Sequence, residues 1–376
     1  MQNKIISVGT AGVNSLKIHN GNRSIDRGEQ KILWLFSILY LMALPNLENK
    51  MEFFSTLFNQ YGKNSVDDET IKWSINLKRE YSRGLKEEFN PHRIVKFYYR
   101  PFTSNYLYNS NIFVDEHGAI LKFFPDGSNE NINSAICLTM HKQVPFVVQA
   151  TSCLFDTGVG SRGSQGISLY RYDKNGDRID NITDWGLTQF QTHYNDSTVT
   201  KENIFYYTYA VLHHPAYRTK YEINLKREFP RLPFYPDFHQ WTTWGKTLMD
   251  LHLNYETIEP HSLKRTETAT KPTPKAKLKA DKTTGQIILD DNTELTGIPT
   301  IAWDYKLGNR SALEWILDQY KEKKPKDPTI REKFNTYKFA DYKEHVIDLL
   351  QRVCTVSIET MEIIQQMPDT VDHQKP

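Results

Sequence analysis

Residues Asn203 to Glu256 read NIFYYTYAVLHHPAYRTKYEINLKREFPRLPFYPDFHQWTTWGKTLMDLHLNYE. Two runs of helical period, rich in Tyr, Trp, His and basic residues, flank a turn broken by Pro230, Pro233 and Pro236. Thr200 is placed to cap the first run, whose Ile204, Tyr207, Val211 and Leu212 share one face. Pro215 suits the first turn of a following helix, because the N–H it lacks is one that a helix start leaves unbonded. Asp237 is placed to cap the last run, with Phe238, Trp241, Trp244, Leu248 and Leu251 along its apolar side. So many aromatics at helical spacing predict a compact, packed block.

On the N-terminal side of this block, Trp185, Leu187, Phe190 and Tyr194 mark a shorter helix. Before it the period changes to that of strands: VKFYYRPF, NYLYNSNIFV, SAICLTM, PFVVQATSCLF and ISLYRY, broken by Pro101, Pro125, Gly127, Pro145 and the turn DKNGD. This alternation predicts one mixed or antiparallel sheet over about residues 95–172. Asp67 to Phe89 reads as a helix that Asn90 and Pro91 stop, and Ile32 to Leu44 as a buried helix. The latter run is shorter than the ~20 residues that a membrane span requires. On the C-terminal side, residues 260–282 are Thr-, Pro- and Lys-rich and read as an exposed linker. A hairpin follows, with KLKAD and QIILD around Thr284 and Gly285, then the helix SALEWILDQYKEK and a last helix from Asp341 to Gln366. The expected class is α+β, a sheet with a central helical block and C-terminal helices. Residues 1–66 read as a leader and helical lead-in, and 67–376 as the main domain.

A chain of 376 residues, 39% hydrophobic and 24% charged, is long enough to bury a core as a globular protein. Its formal charge of +2 excludes neither nucleic acid nor an acidic partner, because a local basic patch forms readily on a nearly neutral chain. Cys137, Cys153 and Cys354 are far apart and form no CxxC pair, which suits buried free thiols in a reducing cytoplasm.

Phe155 to Gly166, FDTGVGSRGSQG, contains GxGxxG at Gly158, Gly160 and Gly163. Glycines admit a phosphate or cofactor close to backbone N–H groups, but a dinucleotide site needs a helix directly after them, and here the chain runs into ISLYRY. Asp156, Gly158 and Gly160 also imitate the first motif of S-adenosylmethionine-dependent methyltransferases. No P-loop lysine follows, since Gln165 comes after Ser164, and no NPPY or DPPY element is present to hold a flipped base. Pro236-Asp237 with Glu322-Lys323-Lys324 spell a PD…(D/E)xK nuclease pattern, on helical or loop stretches rather than adjacent strands. His213, His214, His239 and His252 form no HExxH or Cys/His cluster.

Basic residues are the more informative signal. Four clusters, around Lys72 to Arg100, Arg218 to Arg231, Lys264 to Lys279 and Lys321 to Lys333, are interleaved with Tyr and Trp. A lysine or arginine that neutralises a phosphate releases a counterion and adds salt-dependent affinity. Reading base sequence needs Arg for guanine, Asn or Gln for adenine, and Ser or Thr for either. Two stretches offer that mixture as loops: RPFTSN, with Arg100, Thr103 and Asn105, and SRGSQ, with Ser161, Arg162, Ser164 and Gln165. Lys226, Arg227, Lys323 and Lys324 are candidate phosphate contacts.

The helical block above, together with YYRPFTSNYLY, ISLYRYDKNGDRIDNIT and YKLGNRSALEWILDQYKEKKPKDPTIREKF, is similar to the C-terminal specificity region of type ISP restriction-modification enzymes. The similarity covers about Asp67 to Met367. It implies a target-recognition domain that reads double-stranded DNA for nuclease, translocase and adenine-methyltransferase modules, with no catalysis by this chain alone. S-adenosylmethionine, ATP and Mg²⁺ would belong to those modules, which have no counterpart in these residues. Thr103 stands where the family's YRPFD-type segment carries an acid. The expectation is a recognition module, as a truncated product or a separate specificity subunit of a cytoplasmic system. Two alternatives stay open: a divergent methyltransferase or nuclease using Asp156, Asp237 or Glu322, and a structural remnant that packs on partner subunits.

Overall fold

The computed structural model describes residues 5, 10–11, 79, 83, 90–111, 114, 117–125, 133–268, 271–323 and 337–369. The helices expected over Ile32 to Leu44 and Asp67 to Phe89 lie essentially outside them, as does Lys324. The strands are β1 (Thr10–Ala11), β2 (Ile94–Arg100), β3 (Thr103–Tyr108), β4 (Ala135–Thr139), β5 (Val148–Thr151), β6 (Leu154–Phe155), β7 (Ser164–Ser168), β8 (Tyr170–Tyr172) and β9 (Arg178–Asp180). After the helical block come β10 (Lys264–Glu267), β11 (Ala276–Asp281), β12 (Gln286–Asp290), β13 (Thr293–Thr296), β14 (Lys306–Leu307) and β15 (Arg310–Ser311). The helices are α1 (Asp184–Tyr194), α2 (Lys201–His213), α3 (Pro215–Lys220), α4 (Glu222–Leu225), α5 (Phe238–Leu253), α6 (Thr300–Asp304), α7 (Ala312–Gln319) and α8 (Lys343–Gln365).

The α+β class stands, but the expected single sheet over 95–172 divides into two sheets and a ribbon. One sheet has the order β1-β7-β4-β5 and is antiparallel throughout; the other, β3-β2-β6, joins an antiparallel hairpin to a parallel pair. β8 and β9 form the ribbon. The division falls inside PFVVQATSCLF: Thr151 Oγ1 accepts the Cys153 N–H at 3.2 Å, turning the chain so that β5 and β6 join different sheets. Short-range alternation carries no information about such a turn.

The helix starts follow the local signals. Thr183 and Asp237 cap α1 and α5 through their side chains, and Thr200 and Ser311 form reciprocal capping boxes with Asn203 and Glu314. α2 and α5 approach so closely that a Cβ on Gly245 would stand 1.8 Å from the Tyr206 carbonyl oxygen. The short helix marked by Trp185, Leu187, Phe190 and Tyr194 is present as α1, with Phe190 buried and Trp185 40% exposed.

Within the linker expected at 260–282, the KLKAD arm of the expected hairpin is present as β11, and a further strand, β10, lies at Lys264–Glu267. Lys264–Glu267 pairs antiparallel with β13 and Ala276–Asp281 with β12, so these segments are the two edges of a four-stranded sheet in the order β10-β13-β12-β11. Edge strands tolerate a Lys-rich composition, because one side of the ladder and one face remain in water. Two apolar cores result. One gathers the β2 hairpin, the β10–β13 sheet, α6, α7 and the first turns of α8. The other packs the β4–β5–β7 sheet against α1, α2 and α5, and Ile363 near the end of α8 reaches it. No helix among the described residues is long and apolar enough to cross a membrane.

Candidate nucleic-acid interface

Arg100, at the end of β2, places the first pieces of the site. Its Nη1 donates to Asp156 Oδ1 at 2.9 Å and to the Tyr99 carbonyl at 2.6 Å, while the guanidinium lies 3.9 Å from the Tyr99 ring centroid. Asp156 follows β6, which runs parallel to β2, and its Oδ1 also accepts the Gly158 N–H at 2.6 Å. The ion pair therefore ties the turn of the β2–β3 hairpin to the root of the β6–β7 loop. Both sequence-predicted stretches are brought together, through a structural contact that occupies Arg100.

The β6–β7 loop is a chain of tight turns. Val159 N–H donates to the Asp156 carbonyl at 3.1 Å, Ser161 N–H to the Gly158 carbonyl at 2.8 Å and Ser164 N–H to the Thr157 carbonyl at 2.8 Å. Its glycines are required by packing. A Cβ at Gly160 would lie 2.1 Å from Thr139 Oγ1, one at Gly166 2.7 Å from Phe155 Cζ, and Gly163 holds φ +66. No helix follows; β7 begins at Ser164, within the stretch expected to be loop. The GxGxxG spacing thus has a structural cause in this fold. The tip leaves Ser161, at φ +101, and Arg162 exposed.

A second loop, between β4 and β5, lies against the first. Met140 N–H donates to the Gly163 carbonyl at 3.1 Å, and Thr139 N–H to the Val147 carbonyl at 2.9 Å closes the base. His141 Nδ1 accepts the Gln143 N–H at 3.2 Å, and Lys142 and Gln143 face solvent. The β14–β15 turn is the third member: a Cβ on Gly308, at φ +72, would stand 3.5 Å from Val147 Cγ2 and 3.9 Å from Pro145 Cβ. Exposed Asn309 and Arg310 follow it, with the Arg310 guanidinium 5.1 Å from the Trp315 ring centroid and 3.1 Å from Asp318. Lys142, Gln143, Ser161, Arg162, Asn309 and Arg310 are thus exposed on three neighbouring connections. They supply cations for phosphates and the Arg, Gln, Asn and Ser groups that address base edges.

The other sequence-predicted residues fall elsewhere. Thr103 is 1% exposed and its Oγ1 donates to the Pro101 carbonyl at 3.3 Å, while Asn105 is 7% exposed with its amide nitrogen buried and unbonded. Both belong to β3, because RPFTSN is a tight hairpin turn rather than an open loop. Ser164 is buried and Gln165 half-buried in β7. Lys226 pairs with Glu222 at 2.6 Å beside exposed Arg227, and Lys323 is exposed after α7. The β4–β5 loop was missed, although the string HKQV at 141–144, between two strands and before Pro145, carried its signal.

Much of the basic surface is neutralised within the chain. Lys96 pairs with Glu256, Arg231 with Glu228, Arg265 with Glu267 and Glu344, and Lys271 and Lys277 with Asp291. Among the described residues, Lys142 and Arg162 have no carboxylate partner. The carboxylates of the enzymatic alternatives all serve structure: Asp156 holds Arg100, Asp237 caps α5 and Glu322 accepts the Phe339 N–H at 3.0 Å. Among the described residues no three His, Cys, Asp or Glu side chains converge to hold a metal ion. The three cysteines are buried free thiols; burial raises all of them, Cys153 to about 11 and Cys354 to about 12.

A sequence profile of the Type ISP C-terminal specificity domain matches residues 37–349, and the chain belongs to that family. The fold is similar to that in the cryo-electron microscopy structure of the DrdV–DNA complex, with 38% identity and a TM-score of 0.85, over 98% of this chain and 36% of that one. It is also similar to a nuclease-deletion mutant of the Type ISP restriction-modification enzyme LlaGI in complex with a DNA substrate mimic (24% identity, TM-score 0.75), over all of this chain and 34% of that one. The ATP-dependent Type ISP restriction-modification enzyme LlaBIII bound to DNA gives 23% identity and a TM-score of 0.75, over all of this chain and 24% of that one. At those identities the last two show a likeness of fold alone. The chain spans about a third of the DrdV chain. No curated protein matches it.

Proposed function

We propose that this member of the Type ISP specificity family is a DNA target-recognition domain. Its exposed basic side chains anchor the phosphates, and side chains of the β4–β5, β6–β7 and β14–β15 connections read base edges in the major groove. The observation that carries the reading is the meeting of these connections, where Lys142 and Arg162, which have no carboxylate partner among the described residues, stand beside Gln143 and Ser161. Phosphate contacts fix register, and only base-edge contacts carry sequence information, so the two groups of residues have separable effects. Nuclease, translocase and adenine-methyltransferase chemistry, with S-adenosylmethionine, ATP and Mg²⁺, is assigned to modules outside these residues. The three buried thiols support a reducing, cytoplasmic setting.

The test is selection from a randomised duplex DNA pool by the purified chain, followed by binding of the enriched and the random duplex across a salt series with Mg²⁺ and S-adenosylmethionine present. Enrichment of one sequence, a steep salt dependence, and neither cleavage nor methyl transfer are expected. No binding even at low salt overturns the reading and favours a piece that packs on partner modules. Cleavage or methylation by the chain alone overturns the division of labour.

A further inference from the structure

α3 contributes one arginine to the foot of the β4–β5 loop. Arg218 Nη2 donates to the Phe146 carbonyl at 2.9 Å, and its guanidinium carbon lies 5.5 Å from the centroid of the Phe146 ring. Phe146 is 6% exposed and precedes Val147, whose carbonyl closes the loop. Arg218 therefore grips one residue twice, by a charge-assisted hydrogen bond and by a cation over an aromatic face.

No acid balances this cation: among the described residues no carboxylate pairs with Arg218. Its electrostatic neighbours are Tyr305 and His213, both neutral. Burial keeps the Tyr305 phenol protonated, and pulls the His213 imidazole down to about 3. His213 Nδ1–H donates to the Tyr209 carbonyl at 2.8 Å, so its Nε2 carries a lone pair, and that atom is buried without a hydrogen-bond partner. A guanidinium withdrawn from water without a countercharge costs stability, and an apolar side chain of similar volume would fill the space with less desolvation. What the arginine supplies in return is a fixed position for Phe146.

We propose that Arg218 is a positioning residue for sequence reading: from the helical block it fixes the foot of the β4–β5 loop, so that Lys142 and Gln143 are held beside Arg162. This rests on the target-recognition function proposed above. Arg218 itself is half-buried behind the loop, and its contribution runs through the geometry of groups that touch DNA. A base contact that moves by about an ångström loses its discrimination, while a phosphate contact made by a long, solvated lysine adapts.

The experiment compares the full chain with R218M, R218K and Q143A on two probes, the duplex selected by the wild-type chain and a random-sequence duplex, with the thermal midpoint recorded for each protein. R218M is expected to reduce the preference for the selected duplex by about tenfold or more, the scale of one misplaced bidentate base contact. Affinity for the random duplex stays within about twofold, because the phosphate-facing cations remain. R218K, which keeps the charge but not the planar fork, gives an intermediate loss.

The R218M/Q143A double variant separates positioning from simple stabilisation. If Arg218 acts through the loop, the double variant loses no more preference than the larger single loss. Additive losses overturn the inference, as does an unchanged preference in R218M. So does a parallel fall in both affinities that tracks the thermal midpoint. Should R218M not fold, R218K carries the same cycle. A wild-type chain that enriches no sequence overturns the recognition function itself, an outcome distinct from any behaviour of the variants.

Discussion

Gly245→Ala tests the closest backbone approach described in the fold. A Cβ there would lie 1.8 Å from the Tyr206 carbonyl oxygen, 2.5 Å from its carbon and 3.2 Å from the Ala210 nitrogen, all backbone atoms of α2. A carbon–oxygen contact settles near ~3.3 Å, so the helices must separate by roughly 1.5 Å. The same contact line holds the hydrogen bond from Thr242 Oγ1 to the Asn203 carbonyl and the buried pair of Tyr209 and His252. A gap of 0.5–1 Å already forfeits about a quarter to a half of each dispersion contact, and overpacked cores lose about 1–3 kcal/mol or more. Alanine's better helix propensity returns only about 1 kcal/mol. Because the clash is with helix backbone, the cost lies at the upper end of that range and wins, with a net loss of about 2 kcal/mol. In urea unfolding the midpoint falls while the slope is unchanged, since the surface exposed on unfolding is the same. An unchanged or raised midpoint refutes the close approach of α2 and α5.

At the interface, K142A/R162A is expected to lower the slope of log affinity against log salt by about 1.8 on duplex DNA, from ~0.9 per phosphate contact. Lys277→Ala changes it less, because Asp291 already neutralises that lysine at 3.0 Å; equal effects would sink the assignment. Gly160→Ala drives a methyl group into Thr139 Oγ1 and Val147, pushing the β6–β7 loop off the β4–β5 loop. It is expected to cost about 1–3 kcal/mol in thermal unfolding and to weaken sequence preference more than affinity for random duplex. Acid titration tests the buried histidines. Burial lowers the imidazoles of His213, to about 3, and His252, so the unfolded chain binds protons that the folded chain refuses. Stability is full above about pH 6.5 and falls with decreasing pH, by about 1.4 kcal/mol per pH unit for each such histidine, until its folded value is reached. His213→Leu should remove one such increment from the slope over roughly pH 6 to 4; an unchanged slope would show that His213 is not held neutral.

The helical block was legible because its signals are local. Thr200, Asp237 and Ser311 announce helix starts within four residues of the bonds they make, and Pro215 fits a first turn wherever that turn packs. The hairpin of β11 and β12 followed equally from its turn around Gly285, at φ +64. The quoted strings also disclosed the family, since long matches carry more information than a short motif. RPFTSN and SRGSQ looked like open loops for a related reason: Gly, Pro, Ser and Asn mark turns, but the letters do not reveal whether a turn is tight enough to bury Thr103 and Ser164.

What tertiary structure alone decided is which of these residues are available to a partner. The sequence lists basic clusters, but the acids that neutralise them come from distant segments, as when Lys96 meets Glu256 and Arg265 meets Glu344. It shows three glycines in a cofactor-like spacing; only the fold brings Thr139 and Val147 against Gly160 and leaves no room for a side chain. It places Arg218 in a basic run, whereas packing turns that charge inward onto Phe146. Chain-local physics determined where helices start, where hairpins turn and which family the chain resembles. Charge pairing, burial and the meeting of separate connections are long-range effects, fixed only when the two cores close.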